Sequence, residues 1–283
     1  NPFTIFVLHI KHTQFMSTFQ QYKWFPFVFL FLLILQIGCH SRKIVSDATG
    51  VQHQPVFNKQ NIVIAHRGAW KAKNHPQNSL AALRESIDLG CYGTEFDVRI
   101  TADDSLVLNH DPTHFGIPVE TSSYKVLSEK KLANGEDLPT LRSFIMEGMK
   151  NNRTTKLICE VKPSTQGVEK SQYIAKKVVE LVHSLGAEHH VEFISFSYEA
   201  LLKIKEINPH AITQYLDGNK TPDQLKNDGI SGLDYHYSTF YKNKPWIKAA
   251  QQNGLILNVW TVNNPDDMDW FITNQFDYIT TDE

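Results

Sequence analysis

Cysteine is scarce, with only Cys39, Cys91 and Cys159 in 283 residues, too few for a disulfide scaffold. Neither sign of charge is in surplus: 28 Lys+Arg face 30 Asp+Glu for a formal net charge of −2, which argues against a nucleic-acid binder held by phosphate contacts. Glycine (14) and proline (12) are too sparse for collagen-like or low-complexity architecture. No Gly-x-Gly-x-x-Gly or P-loop pattern follows the first expected strand, which weakens a nucleotide-binding reading. The unbroken apolar run at 25–35 has eleven residues, short of the roughly 20 that a membrane-spanning helix needs. What is present is ordinary globular composition, 41% hydrophobic and 20% charged, with enough chain to bury a full core in one large domain or two small ones.

The apolar run follows Lys23 and precedes Gln36-Ile37-Gly38-Cys39, and it reads as the core of an export signal. The block resembles a bacterial lipoprotein signal, in which a small residue precedes a cysteine that receives diacylglycerol. Gly38-Cys39 fits, while Gln36 departs from the usual aliphatic residue three before the cysteine. Met16 stands at a normal signal-peptide distance, so residues 1–15 are read as upstream of the natural start. The expected organisation is residues 1–38 as upstream residues and signal, 39–60 as a polar tether, and 61–283 as the folded domain. An acylated Cys39 would make the product an exported, membrane-anchored lipoprotein, and ordinary cleavage would release it to the periplasm. From Cys39 onward the chain has 245 residues and a net charge of −4, from 26 basic against 30 acidic.

From residue 61, β-branched runs alternate with amphipathic segments. Strands are expected at 62–66, 94–100, 106–110, 156–162, 192–197, 211–216, 232–236, 255–262 and 277–281, and helices at 79–89, 168–185, 198–207, 222–227 and 265–273. Such alternation implies a parallel sheet with helices on its faces. The run 106–110 reads as the return arm of a β-hairpin, because Asp103-Asp104-Ser105 is turn chemistry with too little chain for a crossover helix. Eight strands over about 220 residues then match a (β/α)8 TIM barrel better than an open doubly wound sheet.

In such a barrel, chemistry belongs at the C-terminal strand ends. The first strand runs into His66-Arg67-Gly68. The second ends in Thr94-Glu95-Phe96-Asp97, which places two carboxylates on one face, and the strand from Lys156 puts Glu160 and Lys162 on one face and Cys159 and Val161 on the other. Three converging carboxylates, Glu95, Asp97 and Glu160, need neutralising, and hard oxygen ligands favour Mg²⁺ or Ca²⁺. A hairpin turning near residue 103 returns His110 beside the Glu95/Asp97 pair. The site would then hold His66, His110, a cation, Arg67 and Lys162, a set suited to a phosphate with two imidazoles as acid and base. Taken singly each residue has a plainer reading: a strand-end histidine as a surface residue, Lys162 as a structural ion pair, Trp260 as a core aromatic. The His189-His190 pair falls before a strand and reads as surface. Cys91 lies four residues before Glu95, about 13 Å below the rim at ~3.3 Å per residue, so Cys91 and Cys159 are expected to remain thiols.

The segments Ala65-His66-Arg67-Gly68, His75-Pro76-Gln77-Asn78-Ser79, Gly93-Thr94-Glu95-Phe96-Asp97-Val98, Leu108-Asn109-His110-Asp111, Cys159-Glu160-Val161-Lys162 and Val259-Trp260-Thr261-Val262-Asn263 together resemble the glycerophosphodiester phosphodiesterase family, over residues 61–283. The resemblance implies a (β/α)8 barrel that hydrolyses glycerophosphodiesters to glycerol 3-phosphate and an alcohol with one divalent cation. By position it implies His66 and His110 as the acid/base pair, Glu95, Asp97 and Glu160 as metal ligands, and Arg67 and Lys162 as phosphate-binding side chains. Residues 112–139 correspond to the family's insertion, a small cap beside the active site. Trp260 is read as a wall for the glycerol carbons. The family's usual Pro-Glu-Asn-Ser/Thr is here Pro76-Gln77-Asn78-Ser79, which removes one charge near the metal.

Two other classes fit parts of this pattern. A phospholipase D- or C-like barrel phosphodiesterase would share the metal and imidazoles but act on intact lipids; the polar cap and the Trp260-Thr261-Val262-Asn263 segment favour the small deacylated substrate. A non-catalytic lipoprotein that binds a phosphorylated headgroup is favoured by Gln77 alone.

Overall fold

The computed structural model describes residues 61–283; the export signal, Cys39 and the 40–60 tether lie outside the described residues. In chain order the elements are β1 (Val63–Ala65), α1 (Leu80–Asp88), β2 (Gly93–Ile100), β3 (Leu106–Leu108), β4 (Thr113–His114), β5 (Ile117–Pro118), α2 (Tyr124–Ser128), α3 (Leu141–Gly148), β6 (Lys156–Val161) and α4 (Val168–Ser184). There follow β7 (Val191–Ser195), α5 (Tyr198–Ile207), β8 (Thr213–Tyr215), α6 (Pro222–Asn227), β9 (Gly232–His236), α7 (Tyr237–Lys242), α8 (Pro245–Asn253), β10 (Ile256–Trp260), α9 (Pro265–Thr273) and β11 (Tyr278–Thr281).

Strands β1, β2 and β6 to β11 pair in parallel around a closed ring, and Ile64 of β1 closes it by facing both Gly93 of β2 and Thr280 of β11. This is the (β/α)8 barrel expected from the alternation of strands and helices. The ninth strand, β3, is antiparallel to β2 with Val98 opposite Leu108 and Ile100 opposite Leu106, the register set by a turn at Asp103-Asp104, where Asp104 adopts φ +61°. Ladder pairing stops at Leu108, and Asn109 then donates its N–H to the Asp97 carbonyl at 3.1 Å, so His110 sits just past the hairpin rather than within it.

Period-two alternation divides the strands between two cores. Phe96, Val98 and Ile100 of β2 and Leu157, Cys159 and Val161 of β6 point outward into a large apolar layer under the helices, while Ile64, Ile158 and Ile194 fill the barrel interior with Tyr92 and Tyr278. Gly93 faces that interior where a Cβ would lie 2.8 Å from Ile158 Cγ1, so a residue without a side chain makes room there for Ile158 and Ile64. Cys91 and Cys159 are buried free thiols.

The helices begin where capping chemistry allows. Ser79, Ser197 and Thr221 each accept a backbone N–H from the first turn of their helix, and Pro222 and Pro265 occupy first-turn positions that need no donor. Helices α2, α3, α7 and α8 were not among the expected ones. Helix α3 buries Leu141, Phe144, Ile145 and Gly148, a proper helical stripe in only eight residues, and α7 and α8 are separated by a two-residue break before Pro245. The segment 112–139 forms a β4–β5 hairpin and α2. Within it Val119, Leu127 and Leu138 pack on Val107 while Phe115 and Val126 are exposed, and Glu136 accepts the Leu80 and Ala81 N–H groups, tying this segment to the start of α1.

Candidate active site

The inward face of β2 carries Glu95 and Asp97 in mid-strand, and β6 lies in register so that Asp97 faces Glu160 across the pair. One carboxylate oxygen from each of Glu95, Asp97 and Glu160 falls within 4.8 Å of the others, and all three residues are buried. Lys162 Nζ stands 2.8 Å from Glu160 Oε1 and 3.2 Å from Asp97 Oδ1. Arg67 Nε approaches Asp97 Oδ2 at 3.7 Å. Asn78 grips Asp97 twice, donating to its Oδ2 at 2.8 Å and accepting its backbone N–H at 3.0 Å.

The three acids are not electrostatically equal. Burial raises Glu95 well above the ordinary carboxylate range, with the charges of Asp97 and Glu160 adding to it. Burial also lifts Glu160, to about 7, with Asp97 again adding. Asp97 is equally buried, but Lys162, His110, Asn78 and Arg67 outweigh the burial and hold it below its usual value. Glu95 accepts the Arg67 backbone N–H at 2.7 Å through Oε2, and its buried Oε1 has no hydrogen-bond partner among the described residues. A set of clustered carboxylate oxygens, with Glu95 Oε1 unpaired and Glu95 and Glu160 made harder to ionise by burial and mutual repulsion, is a donor set that suits a hard divalent cation. The residues fit such an ion.

Arg67 occupies the left-handed region at φ +54°, unusual for a side chain of its size. That conformation turns its N–H toward Glu95 while its Nη1 donates to Gln77 Oε1 at 2.9 Å. Backbone strain of this kind persists where surrounding contacts enforce it. Gln77 thus orients the arginine through its carbonyl oxygen, a role that a carboxylate would also fill.

The histidines enter from different sides. His66 follows β1, and its Nδ1 lies 2.8 Å from Asp282 Oδ1, while the other oxygen of Asp282 accepts from Asn263 at 2.8 Å. This pairing leaves Nε2 of His66 for the cavity. Asp282 is held to about 2, by its hydrogen bond to His66 first, with Asn263 adding. The carbonyl of His110 is fixed by Arg99, whose Nη2 and Nε donate at 2.8 and 3.1 Å, and its Nδ1 is 2.7 Å from Asp111. Burial lowers the His110 pKa and favours the neutral ring.

All seven of the charged or imidazole side chains singled out in the sequence converge. His66, Arg67, Glu95, His110, Glu160 and Lys162 line a cavity of about 140 Å³ floored by Asp234 and walled by Phe196 and Trp260, and Asp97 lies behind it against Lys162. Trp260 donates its indole N–H to the Asp234 carbonyl at 2.9 Å and meets Phe196 edge to face at 5.5 Å. A second groove of about 270 Å³ shares Arg67 and His110 and is lined also by Phe115 of the 112–139 segment. A larger cleft of about 660 Å³ lies at the opposite barrel end around His183, His189 and His210, but it carries no carboxylate cluster, so chemistry rather than size identifies the site. Asn78, Asp282 and Asp234 were not singled out from the sequence. Asp282 was within reach of the strand-end rule, since it directly follows β11.

A profile of the Glycerophosphoryl diester phosphodiesterase family matches residues 66–283. The chain is 29% identical over 242 residues to the glycerophosphodiester phosphodiesterase of Caldanaerobacter subterraneus subsp. tengcongensis, covering 79% of this chain and 95% of that protein. It is 36% identical, with a TM-score of 0.76, to the crystal structure of a glycerophosphodiester phosphodiesterase from Parabacteroides distasonis, covering 78% of this chain and 92% of that one. At 21% identity and a TM-score of 0.65 it shares its fold with an Oleispira antarctica phosphodiesterase solved with the product sn-glycerol-3-phosphate, over 78% of this chain and 92% of that one.

Proposed function

Since this chain belongs to the glycerophosphoryl diester phosphodiesterase family and is a hydrolase of glycerophosphodiesters, we propose that it acts with one divalent cation, Mg²⁺ or Ca²⁺, and two histidines, releasing sn-glycerol 3-phosphate and an alcohol. The observation that carries this reading is the meeting of Glu95, Asp97 and Glu160 within 4.8 Å in a cavity that His66 and His110 also line. Glu95, Asp97 and Glu160 would hold the cation, which supplies charge stabilisation to the phosphoryl oxygens when bound.

The chain's own residues do the rest. Arg67, held in place by Gln77, and Lys162, relieved of part of its pairing with Glu160, take the remaining phosphate oxygens. Asp282 fixes the His66 ring through Nδ1 so that Nε2 can take or give a proton at the phosphate. His110, whose pKa is lowered by partial burial, serves the opposite face. One imidazole deprotonates the attacking oxygen and the other protonates the leaving alkoxide. Trp260 and Phe196 give an apolar wall for the glycerol carbons.

The test is incubation of the purified protein with glycerophosphocholine and Mg²⁺ or Ca²⁺. Metal-dependent formation of sn-glycerol 3-phosphate is expected, and full turnover after metal removal overturns the reading. The product named for the Oleispira antarctica neighbour supports the same choice of substrate. We further propose that the protein is exported and acylated at Cys39, on the strength of the signal-like run 25–35 and Gly38-Cys39. Labelling by a palmitate analogue that disappears in Cys39→Ala is the expected result, and soluble unlabelled protein from the native host would refute acylation.

A further inference from the structure

We propose that Asp234 is the specificity residue that reads the free hydroxyl groups of the substrate's glycerol, and so makes the enzyme select deacylated diesters over intact lipids. This rests on the reading above that the cavity takes a glycerophosphodiester. The carboxyl of Asp234 sits on the inward face of β9, 1% exposed, and its buried Oδ1 has no hydrogen-bond partner among the described residues. A buried carboxyl oxygen without a donor is unfavourable unless something supplies one. No cationic side chain does so: Lys162 pairs with Asp97 and Glu160, and Arg67 with Asp97 and Gln77.

Asn258 Nδ2, an unpaired buried donor in register with Asp234 on β10, makes no bond to it either, so the place of the donor is open to a ligand. Asp234 lines the 140 Å³ cavity that also holds His66, His110 and Glu160, beside the apolar wall of Trp260 and Phe196. The anionic end of the substrate is drawn to Arg67 and Lys162 in the same lining, and Asp234 offers it no cation. A cationic headgroup is disfavoured next to Arg67 and Lys162. A short neutral polyol remains. Its carbons meet the aromatic wall and its hydroxyls donate to the carboxyl, the arrangement by which an acidic side chain holds a ribose diol. A carboxyl in either protonation state accepts such bonds.

Size divides the substrate in the same way. The small cavity suits the constant three-carbon part of every glycerophosphodiester, whereas the groove of about 270 Å³ that shares Arg67 and His110 suits an alcohol of variable size. Acylated glycerol has an ester where the diol donates, so an intact phospholipid would leave Asp234 unpaired and would need room that the cavity lacks. Sites built to bond a hydroxyl reject analogues without it far more strongly than apolar pockets discriminate size.

The experiment is calorimetric titration of the full protein, with Ca²⁺ present, using sn-glycerol 3-phosphate and n-propyl phosphate, which lacks both hydroxyls. The wild type is expected to prefer sn-glycerol 3-phosphate by about tenfold or more. In Asp234→Ala the preference should collapse to within about threefold through loss of sn-glycerol 3-phosphate affinity. Asp234→Asn, which keeps the shape and guards against a folding defect, should fall between the two. No preference in the wild type, an undiminished preference in the variants, or equal loss of both ligands each overturns the proposal, the last by exposing a structural or metal-linked role. Binding is read without turnover, so a catalytically silent protein would sink the two-histidine mechanism while leaving this test intact.

Discussion

Asn78 and Asp97 are joined by two reciprocal hydrogen bonds, Nδ2 to carboxylate oxygen at 2.8 Å and backbone N–H to Oδ1 at 3.0 Å. The pair ties the loop ahead of α1 to the rim of β2 and fixes which oxygen of Asp97 is left facing Lys162 and Glu160. Asn78 manages this at φ +59°, a conformation that asparagine tolerates better than most residues.

Asn78→Ala is accordingly expected to lower metal affinity by about 10- to 100-fold, the range for lost partners of ligating groups. It should also destabilise the fold by about 1–3 kcal/mol, because the Asp97 N–H and carboxylate lose buried partners. Metal titration and thermal unfolding check both, and a variant with wild-type metal affinity would show that Lys162 and Arg67 suffice to orient Asp97.

The barrel was legible because β-branched runs and amphipathic segments alternate, and strand-end chemistry then pointed to His66, Glu95, Asp97 and Glu160. The hairpin was readable from Asp103-Asp104-Ser105, and its register carried His110 to the right place even though the ladder ends two residues earlier. Helices α7 and α8 escaped because a proline and a short break divide an aromatic-rich segment into pieces too short for a clear period. Asn78 escaped for a different reason: it acts through a partner 19 residues away, and no local pattern encodes that pairing; Asp282 stands at a strand end, but its pairing with His66, 216 residues away, is equally invisible locally. Asp234 lay in an expected strand, but facing the interior it resembled any alternate polar position until its missing partners were visible.

Metal and pH should be linked. Burial raises Glu95, and raises Glu160 to about 7. An acid whose folded pKa lies above its unfolded one contributes stability that is fully present below the unfolded value of about 4.5 and is lost as pH rises through about 7. Metal-free protein is therefore expected to lose Tm between about pH 5 and 8, and the Tm gained on adding Ca²⁺ or Mg²⁺ should be larger at pH 8 than at pH 5. Asp282 runs the other way: its carboxyl is depressed to about 2, so its stabilising bond to His66 persists above the ordinary value of 3.8 and fades as pH falls toward 2. A metal effect on Tm that is equal at both pH values would contradict the assigned cluster.

Gly68 should be intolerant on two counts. Its φ is +83°, and a Cβ there would lie 2.6 Å from Ala82 Cβ and 2.9 Å from the Ala82 backbone. Gly68→Ala is expected to cost about 2–4 kcal/mol from overpacking and left-handed strain together. Activity should fall as well, since the neighbouring Arg67 N–H can no longer reach Glu95 in the same geometry. Chemical denaturation checks the first figure. Gly90, also at positive φ but with no atom within 4 Å of a Cβ, is the control, and Gly90→Ala should lose markedly less.

The two histidines should fail differently. If they divide acid and base work, His66→Ala and His110→Ala should each lower kcat by about 10²-fold or more, and the double variant should be little worse than either, because both serve one transition state. A diester with a p-nitrophenyl leaving group needs little protonation, so it should rescue only the variant that lacks the acid. Asp282 supplies a second handle, since it bonds His66 and not His110. Asp282→Asn should lower kcat by about tenfold or more by loosening the His66 tautomer. It should add nothing once His66 is already alanine, yet multiply the defect of a milder His110 variant such as His110→Gln. Rescue of neither alanine variant by the activated diester, or an Asp282→Asn effect that persists in the His66→Ala background, would show that these imidazoles do not carry the protons, even with the metal cluster and the substrate class unchanged.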